Sequence, residues 1–259
     1  MASSIHLAHC TRPELSLEHV PFPHGPHKNR FYHAPVFVRR ETNYLIPTEP
    51  NISITGNIDV ECPTCRRKHD VKIVQSIHAE KDADAKRRLL AGDLNVLVCE
   101  CGKRTQLAAN LVFHDPSKDA YVRVVPGGGE AALAEAATQF RVAGVTGIVR
   151  LVPSQNALIE KVKILDAGLD DWALEIDKVL LLSTLGDLDR VLLFDHLDGD
   201  VLRWVLFDEH GRTPQAMASP LDSYQRIASR SASRPAEGVY QIDRAWAVEA
   251  ARALVAAAN

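Results

Sequence analysis

Cys62-Pro63-Thr64-Cys65 and Cys99-Glu100-Cys101-Gly102 bracket thirty-three residues, and these two tight cysteine pairs decide how the surrounding chain is read. Two short turns that each offer two thiolates from opposite sides suit one tetrahedral ion, most often zinc. Proline stiffens the first turn so that both side chains point inward, and Arg66 follows where a glycine often eases the backbone. The second pair is one residue shorter and is followed by Gly102. The expected ligands are Cys62, Cys65, Cys99 and Cys101 around Zn²⁺, a closed structural site; if the short pair supplies one ligand, His69, His114 or a water is the fourth. Thiol ligands suit iron as well as zinc.

Period-two alternation surrounds the first pair. Ile52, Ile54, Ile58 and Val60 lead into it, and Val71, Ile73 and Ile77 leave it, which predicts a β-hairpin whose tip grips metal. Asp82 to Leu90 reads as a short helix, with acids first, Lys86-Arg87-Arg88 late and Gly92 just past its end. A strand over Leu94 to Val98 enters the second pair, a stretch from Thr105 to Phe113 leaves it, and a further strand runs from Tyr121 to Val125. The alternating Val71 and Ile73 also weigh against redox exchange by Cys62 and Cys65, which ordinarily needs the motif at a helix N-terminus.

Pro126-Gly127-Gly128-Gly129 lacks the Gly-Lys-Ser/Thr ending of a nucleotide loop and reads as a linker. Beyond it, helices are expected over Ala131 to Phe140, from Ser154 to Gly168 and from Trp172 to Gly186. Asp198-Gly199 between Val191 to Phe194 and Val201 to Phe207 signals a hairpin. Asp195, Asp198, Asp200 and Asp208 lack the alternate spacing and terminal Glu of a calcium loop. Ser219 to Ser233 mixes a short helix with a loop. Asp243 caps a final helix to about Ala257, with Ala247, Ala250, Ala251, Leu254 and Val255 on one face. Before all of this, residues 1–50 hold six of the eleven histidines among seven prolines and read as an extended arm. A second metal site from His6, His9 and Cys10 has no regular element to fix it. Pro35 to Arg39 alone there suggests a strand.

The fold class is α+β: a zinc-ribbon-like β module with an inserted short helix, then a helical and β-hairpin C-terminal half. The expected parts are an arm (1–50), a cysteine module (51–126) and a C-terminal region (127–259). A chain of 259 residues buries roughly 70% of its unfolded surface without staples, so a metal would reinforce locally. Five cysteines, four of them in close pairs, suit a reduced cytoplasmic protein better than a secreted disulfide framework. Neither a signal peptide nor a membrane span is expected.

The turn Cys62 to Cys65, the stretch Leu-Ala-Gly-Asp-Leu-Asn-Val-Leu-Val-Cys-Glu-Cys from Leu90 to Cys101, and Phe113-His114-Asp115-Pro116 resemble the CpXC domain family of bacteria and archaea. The likeness continues in Leu158-Ile159-Glu160-Lys161 and in Asp166 to Asp171, and covers about residues 52–185. That family is named for two Cys-Pro-Xaa-Cys motifs. The resemblance implies metal binding, with Cys62, Cys65, Cys99 and Cys101 in the ligand positions, and carries no established activity. The second motif departs from the pattern by lacking the proline and one residue.

The function expected is a structural zinc protein acting as a binding or scaffold module for a protein partner. No Ser/His/Asp set, Walker loop, His-Glu-Xaa-Xaa-His or dinucleotide fingerprint appears. One alternative is a zinc enzyme with an open coordination site, with His69 or His114 nearby and Glu61 or Asp115 as base. The other is a nucleic-acid-binding ribbon, which is not favoured. Glu61 to Arg104 has ten Lys/Arg against seven Asp/Glu, zinc with four thiolates adds about two negative charges, and the span holds no aromatic residue to stack on a base. The C-terminal helix could also hold a second copy of the chain.

Overall fold

A computed structural model describes residues 36–37, 54–207, 214–230 and 233–256. His6, His9 and Cys10, the rest of the histidine-rich arm apart from Val36 and Phe37, and Asp208 lie outside them.

Each cysteine pair sits at the tip of a hairpin. β2 (Thr55–Glu61) pairs antiparallel with β3 (Lys68–Val74), closing at Glu61 opposite Lys68 around the first turn. β5 (Val96–Val98) pairs with β6 (Arg104–Ala108), closing at Val98 opposite Arg104 around the second. The short strand β1 (Val36–Phe37) runs parallel to β6. Alternation places Ile58, Val60 and Ile73 on one face of the first hairpin, where they pack on Leu97 and Leu107 of the second. That small core brings the two tips together.

Asn95 joins the hairpins as well. Its side chain accepts from the Val74 N–H (2.8 Å) and donates to the Val74 carbonyl (2.9 Å), imitating a strand bridge, while its own carbonyl accepts from the Leu107 N–H (2.9 Å). It is 4% exposed and holds a left-handed φ of 51°, which an asparagine tolerates better than most residues. That conformation also explains why β5 starts at Val96, two residues later than the alternation suggests. Between the hairpins, Asp82 caps α1 (Ala83–Leu90) by accepting from the Ala85 N–H, and α1 buries Ala85 and Leu89.

The stretch Thr105 to Phe113, which reads as one run, is two strands. β6 ends at Ala108, and β7 (Leu111–Asp115) belongs to a second sheet. That sheet has the order β4-β7-β8-β9, with β4 (Ser76–His78), β8 (Ala120–Val124) and β9 (Ile148–Val152). β8 and β9 are parallel and joined through α2 (Glu130–Val142), so the sheet continues across the Pro126 to Gly129 turn. Side chains alternate along β9: Val149 and Leu151 meet Phe140 and Leu133 of α2, whereas Val152 joins Leu158 and Val162 of α3 (Gln155–Asp166) on the opposite face.

The C-terminal half is an antiparallel sheet, β10 (Val191–Asp198), β11 (Val201–Phe207) and β12 (Pro214–Pro220), packed with α4 (Asp171–Thr184), α5 (Leu221–Ala228) and α6 (Arg244–Ala256). The β10–β11 loop is Gly199-Asp200, with Asp198 still paired to Val201, one residue beyond the dipeptide that signalled it. Asp243 caps α6 through the Trp246 N–H, and Ala247 and Ala251 are buried. Val255 is exposed rather than part of that apolar face.

A buried charge network joins the two halves. Lys161 bonds to Asp171 (2.9 Å), Glu175 (3.2 Å) and the Ile242 carbonyl (3.0 Å), and Lys178 to Glu160 (3.1 Å) and Glu175 (3.0 Å). Arg150 grips Asp171 with two hydrogen bonds (2.7 and 2.8 Å), and Glu160 also accepts from the Phe194 N–H of β10 (2.7 Å). Burial pushes the Lys161 ammonium toward its neutral form, but Asp171 and Glu175 outweigh it and raise its pKa.

Two expectations follow from this packing. Asn95→Leu strands both Val74 backbone groups, and urea unfolding should show a loss of about 2–4 kcal/mol; a loss below about 0.5 kcal/mol would contradict the bridging role. Asp177 of α4 is 2% exposed and receives one hydrogen bond, from Ser223 Oγ (3.2 Å). Burial pushes its pKa up to about 7. The folded value lies above the unfolded one of about 3.9, so this group's contribution to stability is fully present below pH ~4 and is lost as pH rises toward 7. Asp177→Asn should therefore be more stable than the parent at pH 7.5, by about 1–3 kcal/mol, with the difference vanishing near pH 4. An equal difference at both pH values would refute this.

Candidate metal centre

The four sulfurs of Cys62, Cys65, Cys99 and Cys101 lie within 4.8 Å of one another. Two contacts run between the turns: Cys62 Sγ to Cys101 Sγ at 3.7 Å, and Cys65 Sγ to Cys99 Sγ at 3.4 Å. A tetrahedral zinc with bonds of about 2.3 Å separates its sulfurs by about 3.8 Å. The donor set and its spacing therefore fit a single ion. Cys62 and Cys99 are buried, at 0% and 3% exposure, while Cys65 and Cys101 are exposed.

The two turns reach this arrangement by the same backbone device. In the first, the Cys62 N–H donates to the Arg67 carbonyl (2.8 Å) and the Arg66 N–H to the Cys62 carbonyl (2.9 Å). In the second, the Cys99 N–H donates to the Lys103 carbonyl (2.9 Å) and the Gly102 N–H to the Cys99 carbonyl (2.9 Å). The residue after each second cysteine is left-handed, Arg66 at φ 61° and Gly102 at φ 84°. The missing residue of the second motif thus shortens the loop without removing its closure, and Cys101 still reaches the cluster. Arg66 takes a conformation that a glycine adopts more cheaply.

Protons are held unevenly among the thiols. The Cys65 backbone N–H, bonded to the Cys62 sulfur, brings the Cys62 pKa down to about 6. At Cys99 the Cys101 backbone N–H also favours the thiolate, but burial and the neighbouring thiols outweigh it and push the pKa up to about 12. Crowded sulfurs give up their last protons when a cation arrives to neutralise them.

The histidines named as alternative ligands sit on strands. His69 lies on β3 opposite Val60, and His114 on β7 in the other sheet, stacked on Tyr121 (4.0 Å between centroids) and edge-on to His78 (5.2 Å). Neither belongs to the cysteine cluster. Burial, then the neighbouring His78, hold the His114 pKa below its ordinary value. Asp115 is buried at the end of β7 and accepts from Ser117 Oγ (2.6 Å); Glu61 pairs with Arg66 (3.2 Å). Many of the basic residues beside the turns are neutralised: Arg67 pairs with Glu100 across the two turns, Arg87 with Asp84, Arg104 with Asp93 (2.9 Å) and Lys86 with Asp166 (2.8 Å). Asp195 and Asp198 are likewise paired, with Lys163 (2.6 Å) and Arg203 (3.0 Å).

Sequence reasoning passed over Asn95 and Gln106. Gln106 Nε2 lies within 3.0 Å of the Leu94 and Asn95 carbonyls and 3.1 Å from Gln155 Oε1, which ties the second hairpin to α3. A polar residue inside a strand pattern, at Asn95, was the available signal.

Among the described residues, no helix is long and apolar enough to cross a membrane. No curated protein and no solved structure matches the chain. Residues 60–178 match the family model described as CpXC protein, a span that begins just before the first cysteine turn and ends within α4. The sulfur turns and α3 lie inside that match, and over this segment the chain is similar to the CpXC family.

Proposed function

We propose that Cys62, Cys65, Cys99 and Cys101 hold one Zn²⁺ as four thiolates, and that the ion is structural. The observation that carries this reading is the sulfur cluster itself: four donors within 4.8 Å supply every corner of a tetrahedron, leaving no position for substrate. Binding at such sites contributes on the order of 10 kcal/mol to the local fold. The small core beneath the cluster has five buried side chains, so it gains much from a staple across its tips.

We further propose that the stapled tips present a binding surface to a protein partner in the cytoplasm. Exposed Pro63, Thr64, Cys65 and Cys101 surround the ion site, and Val98 beside Cys99 is 59% exposed, an apolar contact of the kind partners cover. The paired state of Arg67, Arg87 and Arg104 favours a protein over a nucleic acid.

Elemental analysis of untagged protein should find about one zinc per chain. The Cys101→Ser variant should lose it, and hydrogen exchange should then rise in 55–74 and 96–108 while α4 and α6 stay protected. Full metal retention in that variant, with protection unchanged, would overturn the structural reading and favour a mixed-ligand site.

A further inference from the structure

Two sulfur contacts join one turn to the other, and each joins a buried cysteine to an exposed one: Cys62 with Cys101, and Cys99 with Cys65. Four cysteines can close as two disulfides in three ways. Pairing within the turns closes each turn on itself, with a Cys99–Cys101 bond between residues only two apart, and leaves no bond between the hairpins. Pairing Cys62 with Cys99 places both buried sulfurs in one bond, with no member that an oxidant reaches directly. Pairing Cys62 with Cys101 and Cys65 with Cys99 gives each bond one exposed cysteine and a partner sulfur no farther than 3.7 Å.

We propose that this cluster is a peroxide-responsive modification site, in which hydrogen peroxide converts the four thiolates to the disulfides Cys62–Cys101 and Cys65–Cys99 and expels the bound ion. The inference rests on the four-thiolate reading. The exposed Cys101 thiolate attacks one peroxide oxygen; the O–O bond breaks, hydroxide leaves, and Cys101 becomes a sulfenic acid. The Cys62 thiolate then attacks the Cys101 sulfur, the S–O bond breaks, a second hydroxide leaves, and the disulfide forms. Two thiolates have lost two electrons to one peroxide. Cys65 and Cys99 repeat the sequence with a second peroxide, after which no sulfur carries the charge that held the ion. Both bonds connect the same two turns that the ion connected. Oxidation therefore exchanges one staple for another, and the hairpins stay joined.

The test uses the full chain with Cys10→Ser, so that every remaining thiol belongs to the cluster. Zinc is measured before oxidation, then hydrogen peroxide is titrated while a colorimetric chelator reads released metal. A glutamate-specific protease cutting at Glu100 separates Cys99 from Cys101, and fragmentation at the Cys62–Pro63 bond in the mass spectrometer separates Cys62 from Cys65. The expected result is about one zinc released per two peroxides, bridges Cys62–Cys101 and Cys65–Cys99, and recovery of zinc binding after dithiothreitol. Zinc retained and all four thiols intact at roughly tenfold excess peroxide would overturn the proposal, as would Cys62–Cys65 bridges or sulfinic acids in place of disulfides. Absence of zinc before peroxide is added would instead refute the four-thiolate reading, and the same disulfide map would still decide the pairing.

Discussion

Four sulfur atoms held within 4.8 Å of one another repel as thiolates and bond only weakly as thiols. The rest of the ribbon is arranged to enforce that crowding. Ile58, Val60 and Ile73 of one hairpin press on Leu97 and Leu107 of the other, and Asn95 fixes their separation through the Val74 backbone. The left-handed residues Arg66 and Gly102 then aim the sulfurs inward. The Cys65 backbone N–H draws the Cys62 pKa down while burial and the neighbouring thiols push that of Cys99 up, and a cation would favour the thiolate at both.

Beneath the ribbon the structure is held together by a different means. α3 is buried on nearly every side, because it touches the four-stranded sheet through Leu158 and Val162 and the C-terminal half through Ile164. A helix so placed has no solvent face for Glu160 and Lys161, and three cations (Lys161, Lys178, Arg150) balance three anions (Glu160, Asp171, Glu175) around it. Removing one member leaves its partners charged and dry, the costly way to break such a network. The family match ends at Lys178, a member of that network, and Glu160 of the network also accepts from the Phe194 N–H, so the matched segment and the C-terminal sheet share one electrostatic core.

What the residues disclose in advance depends on range. Cysteine spacing, the Asp243 cap, the glycine stops at Gly92, Gly168 and Gly186, and the β2–β3 alternation act over a few residues, and the structure has them where the sequence puts them. β9 depends on partners far away in the chain: Ile-Val-Arg-Leu-Val is a strand because β8 offers an edge across the α2 crossover. β12 has Pro214 and Pro220 at its two ends, which weakens any strand reading, yet both positions are tolerated in an edge strand. The shortened second motif was ambiguous because ligand reach depends on loop closure, and the Gly102 to Cys99 hydrogen bond that sets it is not visible in spacing. The ion network was hidden for a related reason, since Glu160 and Lys161 of α3 meet the Phe194 N–H, Asp171 and Glu175 only once the later elements pack over the helix.

Zinc K-edge X-ray absorption on untagged protein tests the central claim most directly, because it counts and identifies the donor atoms. Four sulfurs at about 2.3 Å with no lighter neighbour is the predicted spectrum. A shell of three sulfurs with a nitrogen or oxygen at about 2.0–2.1 Å would contradict it, removing Cys101 or one of its partners from the site and restoring an open or histidine-completed centre.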